Sequence, residues 1–173
     1  MIYKEYRIGN DGIDLCSLKA SRMELEDYRV AHQNLPILCH DVFIEFDEGI
    51  IFGKRNNEPA KGMFWPIGGR LERGIPMEES LRNNARKESG LELENLEILA
   101  LTRYYYPTDP FDHGKGTDTP TLVYFANGVG SMKRDSQHET LITISREEYL
   151  RGNYKLDQFN TDMMDEIIRR GLI

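Results

Sequence analysis

Gly68-Gly69-Arg70-Leu71-Glu72-Arg73-Gly74-Ile75-Pro76-Met77-Glu78-Glu79-Ser80-Leu81-Arg82-Asn83-Asn84-Ala85-Arg86-Lys87-Glu88-Ser89-Gly90-Leu91 is the stretch on which the fold turns. It reads as loop, helix, loop. Pro76 suits the first helical turn, Glu78 and Glu79 complement the positive end of the helix, and Gly90 supplies the stop. Met77, Leu81 and Ala85 recur at i, i+4 spacing and face a core, while Asn84, Lys87 and Glu88 share a roughly opposite polar face. The paired glycines follow the apolar run Met63-Phe64-Trp65-Pro66-Ile67, where bare backbone can approach a phosphate or a metal ion.

Upstream, Leu35 to Phe46 reads as a long strand, turned by Asp47-Glu48-Gly49 into a second strand, Ile50 to Arg55. Arg55 ends that strand before the loop Asn56 to Gly62, and on its own would be a solvated strand end. Downstream, Leu93 to Tyr106 reads as a strand pair, Leu96–Leu101 and Thr102–Tyr106, rich in strand formers. Pro107 to Pro120 holds three prolines, two glycines and three aspartates together with His113. So many turn formers in one connection predict a long loop on the substrate side. Thr121 to Ala126 is a strand, and a polar segment from Met132 to Glu139 precedes the apolar run Leu141 to Ile144. Ser145–Leu150 and Gln158–Arg170 read as helices, with Met163, Met164, Ile167 and Ile168 turned to the sheet.

Ser21-Arg22-Met23-Glu24 has capping-box spacing and predicts a helix over Arg22–Ala31, ending before Pro36. In residues 1–20, Gly9-Asn10-Asp11-Gly12 signals a turn within either a small hairpin or a loose arm.

A chain of 173 residues, 39% of them hydrophobic, accommodates one globular domain over 21–173 plus that short extension. A net charge of −7 without a basic cluster argues against nucleic acid as partner and leaves room for a small anionic ligand at a local basic site. Two cysteines, Cys16 and Cys39, make no disulfide framework. With no signal peptide and no apolar run near ~20 residues, a cytoplasmic protein with no membrane partner is expected.

The quoted stretch resembles the Nudix box, the loop-helix-loop of hydrolases that cut nucleoside diphosphates linked to another group. Gly68-Gly69, the acidic first turn, Glu88 and Gly90-Leu91 fall where that pattern puts them. Ile75 stands where the family has glutamate, Asn83-Asn84 where it has arginine-glutamate, and Lys87 where it has a further metal-binding glutamate. The missing glutamate and arginine pair with each other in the family, so losing both strands no charge. Losing metal carboxylates matters more, because Mg²⁺ takes oxygen ligands and a nearby ammonium opposes a dication.

Gly53-Lys54-Arg55, Pro59-Ala60, Gly62, Trp65, Gly68-Gly69-Arg70 and Asp135-x-Gln137-His138 together are similar to the GDP-mannose mannosyl hydrolases. That subgroup also keeps the glutamate at the Glu88 position while losing its neighbours. The resemblance runs from Leu25 to the end and implies an α+β Nudix fold, an α/β/α sandwich around a mixed central β-sheet. It implies Mg²⁺, with Mn²⁺ as a substitute, on Glu88, the Gln137 side-chain carbonyl and the Gly69 backbone carbonyl. Arg55 and Arg70 would hold the diphosphate as bidentate donors, with Asp41 and Asp118 as further substrate contacts. His138 would deprotonate a water that attacks the anomeric carbon of a nucleotide sugar, releasing sugar and nucleoside diphosphate with inversion. Asp41, Arg55 and Arg70 would assist catalysis. Members of the subgroup pair through their N-terminal segment, which implies a homodimer. Asn83, Lys87 and the Pro107–Pro120 loop depart from the subgroup. A nucleotide-sugar binding domain without turnover and a pyrophosphohydrolase attacking phosphorus are the competing readings.

Overall fold

The computed structural model describes residues 3–8, 13–20 and 23–173. The Gly9–Gly12 turn and the Ser21-Arg22 half of the expected capping box lie outside the described residues. Residues 3–8 form no strand, and Leu15–Leu18 form a short 3-10 turn capped by the Asp14 carboxylate, which accepts the Cys16 N–H at 3.0 Å. The first long helix, α1, spans Leu25–Asn34, three residues later at each end than its sequence signal, and Glu24 makes no side-chain cap.

The sheet is forked at its first strand. β1 (Cys39–Phe46) runs parallel to β6 (Thr117–Gly130) along one edge. Its other edge is shared: β4 (Ile67–Arg70) pairs antiparallel with residues 39–42, and β2 (Gly49–Arg55) pairs only near the Asp47-Glu48 turn. Beyond that turn β2 departs from β1 and pairs with β3 (Phe64–Trp65) and β7 (His138–Ser145). β5 (Leu91–Tyr106) lines the outer edge of β6.

The structure departs from expectation in β5, in the connection after it, at Pro120 and at Pro76. Leu93 to Tyr106 is not a strand pair but part of one 16-residue strand, bent by register shifts at Glu94/Glu97 and Ile98/Ala100. The connection after it is shorter than the proline and glycine content suggests, because Tyr106 already pairs with Thr117. Pro120 lies inside β6 opposite Arg103, although a strand interior usually excludes proline. Pro76 is the residue just before helix α2 (Met77–Ser89), with no cap of its own; the helix ends as expected on Gly90, at φ 75°.

Two apolar layers sandwich the sheet. Met77, Leu81 and Ala85 of α2 pack on Val42, Ile44, Leu122, Tyr124 and Ala126. Met164 and Ile167 of α4 (Gln158–Arg170) pack on Phe43, Phe52, Val123 and Phe125 of the opposite face. The alternation along β1 and β6 assigns each face, as a pleated strand buried on both sides requires. A five-residue helix, α3 (Arg146–Leu150), precedes α4 and starts with a complete capping box between Ser145 and Glu148. The result is the expected α/β/α layering around a mixed sheet.

Candidate functional site

β4 and β2 diverge at one end of the sheet, and most of the sequence-selected residues lie on these strands, on β1 and on the elements next to them. His40 and Asp41 are neighbours on β1, so they point to opposite faces. His40 turns to α2 and bonds Ser80 Oγ at 2.8 Å, while Asp41 turns to the α4 face, opposite Gly68. A Cβ on Gly68 would collide with the Asp41 carboxylate, so this close approach requires glycine. Asp41 accepts a hydrogen bond from Trp65 Nε1 at 3.3 Å. Burial pushes its pKa up to about 7, with the Trp65 bond and the Arg55 charge pulling the other way. The Tyr104 hydroxyl is buried and faces this carboxylate.

Glu88 leaves the polar face of α2 and points inward. It is 8% exposed and accepts the Gly68 N–H in one long contact at 3.4 Å. Burial first, then the Asp135 charge, raise its pKa to about 8, against the pull of the Gly68 N–H and Arg55. Lys87, by contrast, is exposed. Asn84 lies against Gly69, its Nδ2 3.0 Å from where a Cβ would sit. Arg82 and Arg86 are both engaged elsewhere: Arg82 donates to the Leu93 carbonyl, and Arg86 grips Glu92 at 2.5 and 2.7 Å.

From the other arm of the fork, β2 and β7 bring Arg55 opposite His138. His138 is 2% exposed, and its Nδ1 lies 2.9 Å from Asp135 Oδ1. A carboxylate at that nitrogen fixes the proton there and leaves Nε2 as the acceptor. Asp135 also accepts the Gln137 N–H at 2.9 Å, tightening the turn that carries all three residues. Asp135 was legible only as part of a motif; its i, i+3 spacing from His138 was the signal for its orienting role. Arg55 is braced by its own loop, donating to the Pro59 carbonyl at 2.9 Å and to Asn57 Oδ1 at 3.4 Å.

Arg70 pairs with Cys39 across β1 and β4, and its guanidinium carbon lies 4.1 Å above the Tyr28 ring of α1. Both Arg70 and Arg55 favour the charged form of the Cys39 thiol. Trp65, Tyr104 and Tyr106, with Phe159 behind them, form an aromatic wall. Sequence reading missed this wall, although the alternation of Tyr104 and Tyr106 carried the signal.

Asp118 stands apart. It lies in β6 opposite Tyr105, on the face away from Tyr104 and Tyr106, and binds Arg103 through both oxygens at 2.7 and 2.8 Å. The structure therefore brings Asp41 and Glu88 to the Gly68-Gly69 backbone, with the Arg55 charge acting on both and His138 opposite Arg55, places Arg70 over Tyr28, and leaves Asp118 outside.

Among the described residues no three His, Cys, Asp or Glu side chains converge on one point to hold a metal ion. The donor set nonetheless suits a hard dication. Glu88 is a buried carboxylate with one weak hydrogen bond and two like-charged neighbours, beside bare glycine backbone. Neutral oxygens and a bound diphosphate would have to complete the shell.

No family model matches the chain. Among solved structures it is similar to the MutT protein from Methanosarcina mazei Go1, with a TM-score of 0.64 and 16% identity over 80% of this chain and 97% of that one. The MutT Nudix hydrolase from Burkholderia pseudomallei gives a TM-score of 0.63 and 19% identity over 78% of this chain and 99% of the other. The fold is the Nudix fold. The Nudix domain of Shewanella oneidensis NrtR, solved in complex with ADP ribose, has a TM-score of 0.58 and 14% identity, covering 86% of this chain and 99% of that chain. In sequence, the chain is 24% identical over 125 residues to the low-salt glycan biosynthesis protein Agl8 of Haloferax volcanii, covering 70% of this chain and 78% of Agl8. No helix among the described residues is long and apolar enough to cross a membrane.

Proposed function

We propose that the protein is a Nudix hydrolase of nucleoside-diphosphate sugars that directs water to the anomeric carbon rather than to phosphorus. The observation that carries this reading is the buried Asp135–His138 pair, set beside Arg55 at the same end of the sheet as Glu88. His138 Nε2 accepts a proton from water as its oxygen bonds to the anomeric carbon, and the bond from that carbon to the diphosphate oxygen breaks. Arg55 and Arg70 take up the charge of the departing diphosphate as bidentate donors. Asp41 fixes the sugar by hydrogen bonding, and the Trp65, Tyr104 and Tyr106 wall excludes water. Glu88, the Gly69 carbonyl and the Gln137 carbonyl would hold Mg²⁺ or Mn²⁺, which supplies charge neutralisation on the diphosphate. Missing box carboxylates speak against attack on phosphorus, the usual work of those residues.

Two comparisons support the substrate class. NrtR was solved with ADP ribose, a nucleoside diphosphate joined to a sugar, and Agl8 is a glycan biosynthesis protein. A panel of nucleotide sugars with Mg²⁺, analysed by product, tests the reading. Free sugar with nucleoside diphosphate supports it; sugar phosphate with nucleoside monophosphate places attack on phosphorus. Binding without release of any product would make the chain a recognition domain, a reading favoured by the single buried carboxylate on α2. We also propose a homodimer formed through α1, whose Leu25 and Val30 are 67% and 58% exposed, and sedimentation as a monomer at micromolar concentration would exclude it.

A further inference from the structure

His113 belongs to the connection between β5 and β6, and nothing in the chemistry above uses it, yet its side chain is 1% exposed. Its Nε2 lies 2.8 Å from Nδ1 of His32, on the buried side of α1. Such a contact holds when one facing nitrogen carries a proton and the other is bare. Behind it, Asp109 organises the loop, accepting the N–H groups of Phe111, His113 and Gly114 at 2.9, 3.0 and 3.1 Å. Asp109 also lies 3.2 Å from His113 Nδ1, the nitrogen that accepts the Lys115 N–H at 3.2 Å. The loop is therefore a rigid unit with a single side-chain hydrogen bond to α1.

That hydrogen bond is continued by packing. Phe111 stands edge-on to His32 and to Tyr28, with ring centroids 5.3 and 5.0 Å apart, and the Tyr28 ring is the platform under Arg70. A second tie anchors the loop on the far side, where Thr108 donates to Glu58 at 2.8 Å, in the segment that braces Arg55. Both proposed diphosphate arginines are thus supported through this loop.

We propose that His32 and His113 are positioning residues for diphosphate binding. Their mutual hydrogen bond locks the 107–116 loop onto α1, keeps Tyr28 beneath Arg70, and is broken when His32 takes up a proton at Nδ1, because His113, whose Nδ1 accepts the Lys115 N–H, presents an N–H there already. This rests on the reading of Arg70 as a diphosphate ligand. The titratable and charged groups facing His32 are His113 and Asp109 from the loop, Arg70 from β4 and Tyr28 from its own helix. Burial, then His113, then Arg70 disfavour protonation of His32, and Asp109 favours it; the net effect is a lowered pKa. A histidine lowered in the folded state contributes stability that is complete above the ordinary imidazole value of about 6.5 and is lost as pH falls through the lower folded value. The lock therefore opens on acidification.

The test combines two readouts on the whole chain, wild type and His32→Phe, which keeps the ring packing and removes the hydrogen bond. Amide hydrogen exchange of the 107–116 segment, corrected for intrinsic rate, reports the lock. Calorimetric binding of GDP with Mg²⁺ reports the diphosphate grip. We expect wild-type loop protection at about pH 7.5 to fall roughly tenfold at about pH 5, and His32→Phe to show the low protection at both. GDP affinity should drop about tenfold in His32→Phe at the higher pH, as it should in Tyr28→Leu. Protection and affinity in His32→Phe equal to wild type would overturn the proposal, and so would a loosened loop with unchanged GDP affinity. If wild-type protein shows the exchange behaviour but binds no GDP, the site reading fails, and the role given to Arg70 falls with it.

Discussion

Gly53 lies directly beneath the imidazole of His138: a Cβ at that position would stand 2.6 Å from Nε2 and nearer still to Cδ2. The glycine is not needed for an unusual backbone angle but for the space the ring occupies. Gly53→Ala should therefore displace His138 while leaving β2 paired. We expect a drop in kcat of about 10²-fold or more, as for loss of a general base, with about 1–3 kcal/mol of destabilisation from overpacking. A variant with wild-type kcat would show that the ring position is irrelevant to turnover.

His138 and Glu88 should fail in different ways. His138→Gln should lower kcat by about 10²–10⁴-fold with substrate and metal affinity nearly unchanged. Glu88→Gln removes the one charged ligand on α2, so activity should return in part as Mg²⁺ is raised. Kinetics against Mg²⁺ concentration separate the two; identical responses would refute the assignment.

The N-terminal arm caps the box helix. Pro76 offers no side-chain acceptor, and Glu5 takes that place, accepting the Met77 N–H at 2.7 Å while Tyr3 donates to the same oxygen at 2.5 Å. A carboxylate at a helix N-terminus is stabilising, and losing such a cap costs about 0.5–2 kcal/mol. Glu5→Ala should lower the Tm by a few degrees, roughly 2–4 °C per kcal/mol for a chain of this size. An unchanged Tm in a thermal melt would mean the arm contributes nothing to α2.

The two cysteines should react unequally. Cys16 is exposed, whereas burial, reinforced by the Asp41 charge, pushes the Cys39 thiol up to about 12, with Arg70 and Arg55 only partly offsetting it. Because the thiolate is the nucleophile, Cys39 stays protonated at about pH 8. A thiol reagent should modify Cys16 in the native protein and reach Cys39 only after unfolding, counted by mass.

Local pattern alone determined the box helix, since the i, i+4 recurrence of Met77, Leu81 and Ala85 is a property of the helix itself, and Gly90 ends it by adopting a left-handed conformation that favours glycine. β1 and β2 were legible for the same reason, as apolar runs joined by a short turn. The site residues were named from a motif, but their arrangement was not in the sequence. Tertiary structure decided that β5 is one bent strand, because its length is fixed by pairing with β6, including Tyr106 with the distant Thr117. The same register turned Asp118 away to Arg103 and turned Tyr104 and Tyr106 toward Trp65. Burial of Glu88 and the meeting of His32 with His113 likewise depend on how separate elements pack. No spacing along the chain encodes a contact between residues 81 apart; only the packed fold brings those two rings together.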